Sequence, residues 1–351
     1  MKKELKTLFI GPFSPPYTGD GVKNDYLREG LETAEIKNII WLDTRNQSGN
    51  ALSFYFKLLK MMMFSKQIIF SINIRGRFTL IPVFGFLSLF SHKKGVLYIM
   101  GGIFDKQIER LNPLIRKIFV GMVNRLDGVF AESQVLKTGL EKCGMKNVVM
   151  IYNPRKDEGL RWKLTENNKN KAVFISRVTD DKGVTVLIDS IEKIKNDGTN
   201  ISLDIYGPMD NNYEKYFNER VKNSNGVISY KGFLKPDEVQ SALLDYHFLA
   251  LPTYHSGEGL PGILVEAGMT GIPIIITRFN SLPEYFTHEQ SALFVEPHDV
   301  DGLKNEILKL INSKELTHQI NSGLLNTVEP FKLENVIKQS IDYLSAKKWK
   351  L

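Results

Sequence analysis

The chain has 351 residues, of which 42% are hydrophobic and 24% charged, a composition that is typical of globular proteins and excludes disordered, collagen-like and coiled-coil chains. Its formal net charge is +7, and its single cysteine, Cys143, excludes an internal disulfide framework and indicates a reducing compartment. The first ten residues are too short an apolar run for a signal peptide, and the longest apolar run, 78–90, is shorter than the ~20 residues of a membrane span, so we expect a cytoplasmic, two-domain protein.

The positive charge is concentrated in the first half. Residues 1–150 carry 22 Lys and Arg against 12 Asp and Glu, and no acidic residue lies between Asp43 and Asp105. A field of one sign attracts an anionic partner, such as a membrane surface, a phosphorylated acceptor or nucleic acid, although a basic solvated surface is an equally good explanation. Nucleic acid is the weakest of these partners because the sequence has no recognisable nucleic-acid-binding motif.

Residues 52–66 mix Phe, Leu and Met with lysines. Such a segment is predicted either to lie in a membrane interface as an amphipathic helix or to pack one face against the core with its lysines in water. The sequence leaves both interpretations open.

Short apolar runs alternate with helical patterns along the whole chain, which favours parallel strands in βαβ units. In the first half we expect strands over 7–10, 39–42, 68–72, 96–100 and 128–132, and a helix over 22–33. Residues 11–21 are rich in Gly and Pro and are expected to form a loop.

The pattern starts again after Asn153-Pro154, and the polar residues 155–171 are expected to be a linker or an exposed loop. Further strands are expected over 172–176, 201–206, 227–230, 248–252 and 274–277, and helices over 184–195, 213–222, 236–245, 262–270 and 333–346. Two Rossmann-like halves with a boundary near 151–170 are the simplest organisation.

The densest chemical signal is the segment 256–273, SGEGLPGILVEAGMTGIP, between a strand end and a helix expected to begin near Pro261. Gly257, Gly259 and Gly262 allow the backbone to approach a ligand, and the helix N-terminus offers free N–H groups and partial positive charge. The segment is therefore predicted to bind an anion, and a diphosphate suits it best.

Two carboxylates, Glu258 and Glu266, flank this anion site. Eight residues at helical rise span about 12 Å, roughly the distance from a ribose across a diphosphate to a sugar. A carboxylate accepts hydrogen bonds from two neighbouring hydroxyls, so each end suits a polyol. One solvent-exposed glutamate and one ordinary helix glutamate fit the spacing equally well.

Arg177 and Lys182 follow the strand expected over 172–176. An arginine fork and a lysine point charge five residues apart on one loop can converge on a single anion and neutralise a diphosphate without a metal. Two exposed loop cations are the alternative, which the nearby Gly/Glu segment makes less attractive.

These elements resemble glycosyltransferase family 4, whose members are retaining enzymes with the GT-B fold. The resemblance rests on Arg177, Lys182-Gly183, Glu258-Gly-Leu-Pro261, Glu266 and Gly271-Ile-Pro273, in this order and spacing. Looser matches in the first half are Gly11-Pro12, Gly19-Asp20-Gly21, Gly101-Gly102, the segment 127–133 and Asn153-Pro154. The resemblance thus extends over nearly the whole chain.

The resemblance implies a role for each matching residue. As catalytic residues, Arg177 and Lys182 would stabilise the leaving diphosphate and Glu258 would hold the donor sugar, while Glu266 would bind the ribose. Further donor contacts are implied for Gly207, Phe233, Gly259, Leu260, Pro261 and Gly262. Contacts to the donor phosphate or the acceptor are implied for Gly19, Asp20, Gly21, Gly101 and Gly102. No metal ion and no cofactor are implied.

The implied architecture is an α/β protein with two Rossmann-like domains whose parallel sheets face each other across a cleft. Residues 1–153 would bind the acceptor and residues 154–330 the nucleotide sugar, and a helix within 331–351 would cross back to the first domain. Asp299-Val-Asp301 spells a metal-binding motif of a different glycosyltransferase fold, but it precedes a helical run, so we expect Asp299 to cap that helix.

The sequence thus predicts a metal-independent, retaining hexosyltransferase that uses a UDP-sugar rather than a GDP-sugar. The acceptor is expected to be an anionic glycan or lipid-linked intermediate of cell-surface polysaccharide synthesis, reached at the inner face of the plasma membrane. Met100 stands where many members of the family carry a histidine. A non-catalytic sugar-nucleotide-binding scaffold subunit therefore remains an alternative, as does a nucleotide-sugar epimerase of the same fold.

Overall fold

The computed structural model describes residues 7–45 and 50–350, which fall into two compact units. The first unit comprises residues up to Arg155 together with those from Phe331 onwards, and the second comprises Lys156–Pro330. The expected first strand is present from Thr7, and its preceding residues, 1–6, lie outside the described part of the chain.

The first unit is built on a six-stranded, wholly parallel sheet with the order β2-β1-β3-β4-β5-β6. Its strands are β1 Thr7–Gly11, β2 Ile39–Asp43, β3 Gln67–Phe70, β4 Lys94–Tyr98, β5 Gly128–Ala131 and β6 Val148–Met150. The connecting helices are α1 Gly19–Thr33, α2 Ala51–Phe64, α3 Ile74–Phe90, α4 Phe104–Glu109, α5 Pro113–Val123 and α6 Gln134–Lys142.

The second unit repeats this architecture with a parallel sheet of order β12-β11-β10-β7-β8-β9. Its strands are β7 Lys171–Ile175, β8 Ser202–Tyr206, β9 Ile228–Gly232, β10 Phe248–Leu251, β11 Ile274–Thr277 and β12 Leu293–Val295. Its helices are α7 Val184–Asn196, α8 Asn211–Asn223, α9 Val239–Leu243, α10 Gly262–Thr270, α11 Leu282–Tyr285, α12 Val300–Asn312 and α13 Lys314–Thr327. The predicted α/β class with two parallel sheets is confirmed.

The last helix, α14 Leu333–Ala346, belongs to the first unit and covers the face of the sheet on which α1 lies. Tyr98 donates a hydrogen bond to Ser340 Oγ at 3.0 Å, and Tyr343 donates one to the Asp127 carbonyl oxygen at 2.6 Å. The opposite face is covered by α2, α3, α5 and α6, through the buried side chains of Leu58, Met62, Leu80, Phe84, Phe119, Val123, Leu136 and Leu140.

The loop expected over 11–21 is shorter than predicted. Gly11 ends strand β1, and α1 begins at Gly19 rather than Val22, because Thr18 caps the helix by accepting a hydrogen bond from the Gly21 N–H. A first helical turn tolerates glycine because the cap and not the side chains fixes it. Gly19, Asp20 and Gly21 are therefore helical rather than part of a loop.

The segment 155–171 is a mostly exposed loop, as expected, but buried side chains anchor it to the second unit. Trp162 is only 4% exposed, and its indole N–H donates to the Tyr246 carbonyl oxygen at 2.7 Å. Asn168 is also buried and donates to the carbonyl oxygens of Lys163 and Leu244. The polar composition concealed these two anchors, which attach the segment to the second unit.

The expected cap on α12 is confirmed, since Asp299 accepts a hydrogen bond from the Gly302 N–H at 2.8 Å. A metal-binding role for this residue has no support in the described residues, among which no group of three or more His, Cys, Asp or Glu side chains is placed to hold a metal ion.

His247, at the start of β10, is a buried histidine that must stay neutral. Its Nδ1 accepts a hydrogen bond from the Asn170 N–H at 3.1 Å, which requires an unprotonated nitrogen. Burial, with a smaller effect from the positive charge of Lys169, lowers the pKa of His247 from 6.5 to about 4.

Acid should therefore destabilise the protein through this histidine. Between pH 6.5 and pH 4 the unfolded state binds a proton that the folded state does not, so stability falls as the pH falls. We expect a loss of about 3 kcal/mol that is complete only below the folded pKa. Urea unfolding across this range should show a flatter pH dependence for His247→Asn, which keeps an acceptor, than for the wild type.

The exposed His318 provides the matched control, and His318→Asn should leave the wild-type pH dependence in place. Equal slopes for the wild type and His247→Asn would contradict the expected proton linkage.

Candidate functional site

The sheet order of the second unit brings the two chemically richest loops together. Strands β7 and β10 are hydrogen-bonded neighbours at the centre of the sheet, although they are separated in the chain by β8 and β9. Because parallel strands share one carboxyl edge, the loops 176–183 and 252–261 leave the sheet side by side. Strand order reverses between β7 and β10, and such a reversal is where doubly wound sheets bind ligands.

The two loops contact each other through backbone atoms. Gly183 has a φ of 79°, and a Cβ atom there would lie 2.0 Å from the Pro252 carbonyl oxygen. Gly207, which follows β8, has a φ of 137°, and a Cβ atom would lie 1.7 Å from the Ser176 carbonyl oxygen. Both positions require glycine for chain packing, whether or not a ligand is also bound.

Lys182 and Glu258 form a buried ion pair across this contact. Lys182 lies in a short 3₁₀ helix, Asp180–Lys182, and its ammonium group donates a hydrogen bond to Glu258 Oε2. The residues are only 6% and 9% exposed, respectively. Thr253 donates a second hydrogen bond to the same carboxylate oxygen at 3.0 Å. Removing one member of such a pair leaves a buried charge uncompensated, at a cost of roughly 3–5 kcal/mol.

Arg177 lies on the same loop but is exposed, whereas Lys182 is buried. Its positive charge helps to lower the pKa of Asp181, four residues further along. The structure therefore places Lys182, and not Arg177, against Glu258. The predicted convergence of both cations on one anion stays a prediction.

A second set of contacts, which the sequence did not reveal, joins the same loops. His255 Nδ1 lies 2.6 Å from Asp181 Oδ2, and Tyr254 donates to Asp180 Oδ2 at 2.6 Å. Burial raises the pKa of Asp181, but hydrogen bonds from Thr179 and His255 outweigh that effect and hold the pKa below its usual value. His255 is thus a bridge between the loops rather than an isolated surface histidine.

The Gly-rich segment then enters α10. Pro261 occupies the N-cap position, and Gly262 is the first helical residue, so the segment from Gly259 to Gly262, with the buried Leu260, leads directly into the helix N-terminus. Asn280 donates to the Glu258 carbonyl oxygen at 3.2 Å and steadies the turn. Glu266 is buried on the second turn of α10, and Phe233 is half-exposed after β9.

The carboxyl edge of the first unit carries a separate cluster of buried charges. Lys23 on α1 donates to Glu132 Oε1 at 2.7 Å, with both residues buried. Arg77 on α3 donates to the Met100 carbonyl oxygen at 2.6 Å and lies over the Phe104 ring. Burial lowers the pKa of Lys23 and lowers that of Arg77 to about 10.

The predicted residues of the first unit lie at this same edge. Gly101 and Gly102 follow β4 directly after Met100, and Asp20 forms an ion pair with Arg45 at 2.5 Å. Lys23, Arg77 and Glu132 were not predicted as site residues. Glu132 lies in the resembling segment 127–133, but the partners of these residues are distant in the chain, so no local motif reveals the contacts.

A cavity of about 330 Å³ opens between α2 and the start of α3 in the first unit. One part of its lining is apolar, with Phe54, Leu58 and Leu80, and another part is polar, with Arg45, Asn73 and Arg75. Such a lining suits an amphiphilic anion better than a purely apolar ligand. Within the described residues, no helix is both long and apolar enough to cross a bilayer.

Comparisons with known proteins agree with this geometry. Residues 156–323 match the family described as "Glycosyl transferases group 1". An uncharacterized glycosyltransferase of Methanocaldococcus jannaschii is 30% identical over 201 residues, which are 57% of this chain and 54% of that protein. The capsular polysaccharide biosynthesis glycosyltransferase CapM of Staphylococcus aureus is 24% identical over 158 residues, 44% of this chain and 40% of CapM. The chain thus spans about half the length of these relatives or less.

The whole fold has a match among solved structures. Anabaena Alr3699/HepE in complex with UDP superposes with a TM-score of 0.75 at 16% identity, covering 97% of this chain and 100% of that one. The same protein is also known in complex with UDP-glucose, again with a TM-score of 0.75. At this identity the likeness shows the fold, which is that of the GT-B glycosyltransferases. The match to that family model, over residues 156–323, covers the greater part of the second unit.

Proposed function

We propose that the protein is a retaining glycosyltransferase that moves a hexosyl group from a UDP-sugar to a hydroxyl of an anionic acceptor. The observation that carries the proposal is the buried pair Lys182–Glu258 at the strand reversal, one turn before the N-terminus of α10. A cation, a carboxylate and a free helix N-terminus are the groups that a sugar diphosphate requires. The nucleotide choice is supported by the UDP and UDP-glucose complexes of Alr3699/HepE.

The ion pair suggests how donor binding is coupled to sugar positioning. Lys182 and Glu258 neutralise each other in their buried ion pair. A diphosphate at the N-terminus of α10 would compete for Lys182 and free an oxygen of Glu258 to accept hydrogen bonds from hydroxyl groups of the sugar. Arg177, exposed on the same loop, would add a second cation as negative charge develops on the leaving diphosphate.

Glu266 is proposed to hold the ribose from the second turn of α10. Gly259 to Gly262 would present backbone N–H groups to the diphosphate, and Gly207 and Phe233 would line the donor site. The leaving phosphate itself is proposed to accept the proton of the attacking hydroxyl, since Met100 offers no base. No metal ion takes part in this scheme.

The acceptor is proposed to be an anionic glycan or a lipid-linked intermediate of cell-surface polysaccharide synthesis, met at the cytoplasmic face of the membrane. The cavity with Arg45, Asn73 and Arg75 supports an anionic acceptor, as does the concentration of positive charge in the first half of the chain. The kinship with CapM supports polysaccharide synthesis. Gly19, Asp20, Gly21, Gly101 and Gly102 would lie near the acceptor or the donor phosphate.

Thermal unfolding should identify the donor nucleotide. UDP at 100 times its dissociation constant adds about 2.7 kcal/mol of stability, enough to raise Tm by a few degrees, and it should do so in EDTA. Glu266→Gln should reduce the shift, whereas Glu315→Gln, which alters an exposed glutamate of the second unit, should not. A shift with GDP alone would overturn the UDP assignment, and no shift with any nucleotide would overturn the donor site.

Lys182 should affect turnover and stability separately. Lys182→Met is expected to lower kcat by about 10²–10³-fold, the usual loss for one charge-stabilising donor, and to destabilise the fold because Glu258 stays charged and buried. In the double variant Lys182→Met/Glu258→Gln stability should recover while turnover stays low. Turnover of the double variant equal to that of Glu258→Gln alone would show that Lys182 only supports the fold.

The stereochemistry of transfer is open to direct observation. If the enzyme is retaining, NMR of the product from an α-linked UDP-sugar should show an α-glycosidic bond from the earliest time points. A β-linked product would overturn the retaining mechanism. Tight UDP binding without transfer to any anionic acceptor would favour the non-catalytic scaffold, for which the absence of a histidine at position 100 is the best support.

A further inference from the structure

The exposed apolar side chains of the described residues are concentrated on one layer of the first unit. Seventeen large hydrophobic residues are exposed, and twelve of them lie on α2, α3 and α5, which cover the same face of the sheet. In the second unit, which is of similar size and described throughout, the exposed large hydrophobic residues are only Tyr216, Tyr230 and Phe233. Scattered apolar residues on a surface are ordinary, but a concentration of this kind marks a contact surface.

Helix α2 is the centre of this concentration. Its sequence, ALSFYFKLLKMMMF, is apolar apart from one serine and two lysines, and a helix with so few polar residues is normally buried on most of its surface. Here Leu58 and Met62 are buried in the core and Phe54 and Met61 pack partly against it, whereas Phe56 and Phe64 are 67% and 77% exposed. The remaining exposed apolar residues of the helix are Leu52, Tyr55, Leu59 and Met63. Most of the apolar surface of α2 is therefore not covered by the described residues of the chain.

The end of α3 extends the apolar surface of α2. Lys93, just beyond α3, donates hydrogen bonds to the carbonyl oxygens of Met63 and Ser65 at 2.7 Å each, which ties the two helix ends together. Phe86, Leu89 and Phe90 are exposed there, and Phe90 reaches 76%. We call the exposed apolar residues of α2, together with Phe86, Leu89 and Phe90, the α2–α3 face.

The charge of this region has a single sign. Lys57, Lys60 and Lys66 are exposed on or beside α2, and Arg75 is exposed on the first turn of α3. No acidic residue occurs in the sequence between Asp43 and Asp105, which includes all of α2 and α3. Apolar residues interleaved with lysines, without acids, are the pattern of a helix that lies in the interface of an anionic bilayer.

A second copy of this chain is a poorer occupant. In an isologous dimer the same patch meets itself, so two lysine-rich, acid-free surfaces would be opposed. Like charges held together across an interface are unfavourable. Anionic lipid headgroups satisfy the lysines, and the acyl-chain boundary accepts the aromatic and aliphatic side chains.

We propose that the α2–α3 face docks the protein on an anionic lipid bilayer, with α2 lying in the plane of the interface. The fourteen residues of α2 extend about 21 Å, so the helix lies along the surface and does not cross it. The cavity between α2 and the start of α3 would then open beside the bilayer, where a lipid-linked acceptor is found. The docking surface deepens the proposed function by naming the acceptor's source, but it needs no transfer reaction.

Vesicle co-sedimentation of the full chain tests the proposal. Wild-type protein should bind vesicles of equal parts phosphatidylglycerol and phosphatidylcholine at low salt, and should bind pure phosphatidylcholine vesicles far less. Lys57→Glu/Lys60→Glu should weaken the binding by at least thirtyfold, since a lysine near an anionic surface contributes about a factor of five and the substitution also adds two negative charges. Phe56→Gln/Phe64→Gln should weaken it at least tenfold at any salt concentration.

Matched controls come from the second unit. Lys195→Glu/Lys222→Glu makes the same change of net charge on exposed lysines, and Tyr216→Gln removes an exposed aromatic ring. Both should bind vesicles nearly as the wild type does. If the control and the α2 lysine variants lose vesicle binding equally, the effect depends on net charge alone, and the proposal is overturned.

Two further outcomes would also overturn it. Failure of the wild type to bind anionic vesicles would do so, and a concentration-dependent dimer abolished by Phe56→Gln/Phe64→Gln, without vesicle binding, would assign the face to a second copy. The UDP-induced Tm shift, measured on the same samples, separates this test from that of the proposed function. If docking fails and the shift remains, the donor site stands, and the reverse result removes the donor site alone.

Discussion

In the second unit, the adjacency of β7 and β10 is the constraint on which the candidate site depends. Hydrogen bonding between parallel strands places both carboxyl ends at one edge, so two loops that are distant in sequence must leave the sheet together. The contact of Gly183 with the Pro252 carbonyl oxygen sets their separation at backbone level. The Lys182–Glu258 pair, 76 residues apart in the chain, is a consequence of that packing. A side chain at position 183 would push the loops apart and remove the pair with them.

The first unit uses the same edge differently. Its buried pair, Lys23 and Glu132, joins α1 to the end of β5, while Arg77 joins α3 to the Met100 carbonyl oxygen after β4. Within the unit these buried groups form an ion pair with each other or donate hydrogen bonds to backbone carbonyl oxygens. Burial lowers the pKa of both cations, Lys23 and Arg77. Arg77 thereby fixes the backbone just before Gly101 and Gly102, at the position where the resembled family often has a histidine. The substitution by Met100 removes a titratable side chain but leaves a cation beside the strand end.

Elements that a continuous stretch of sequence encodes can be predicted from the sequence, whereas contacts between residues distant in the chain cannot. The strands can be predicted because short apolar runs between helical patterns are typical of buried parallel strands. The loop after β7 and the Gly-rich loop after β10 can also be recognised, since each is one continuous stretch of sequence. Their pairing follows only from sheet order. Lys23 and Glu132 are 109 residues apart, and although Glu132 lies in the resembling segment 127–133, no motif pairs it with Lys23. The sequence predicts the start of α1 three residues too late because the glycines at 19 and 21 obscure the cap at Thr18. It does not reveal how 155–171 is anchored because Trp162 and Asn168 are isolated in a polar segment.

The exposed helix α2 shows a different kind of limit. Its composition was compatible with burial in the core or with a lipid interface, and composition alone does not distinguish them. The structure shows that α2 is not buried as a whole, since only one face, with Leu58, Met62, Phe54 and Met61, packs against the core. A fold under selection only for solubility would place polar residues on the rest of α2 and would mix acids among its lysines. The 61 residues between Asp43 and Asp105 contain no acid, and α2, which lies among them, exposes large apolar side chains. The second unit, in contrast, buries or partly buries nearly all of its large apolar side chains and carries charges of both signs. The apolar and electrostatic departures coincide on one helical layer, and a bilayer with anionic headgroups is a single partner that accounts for both.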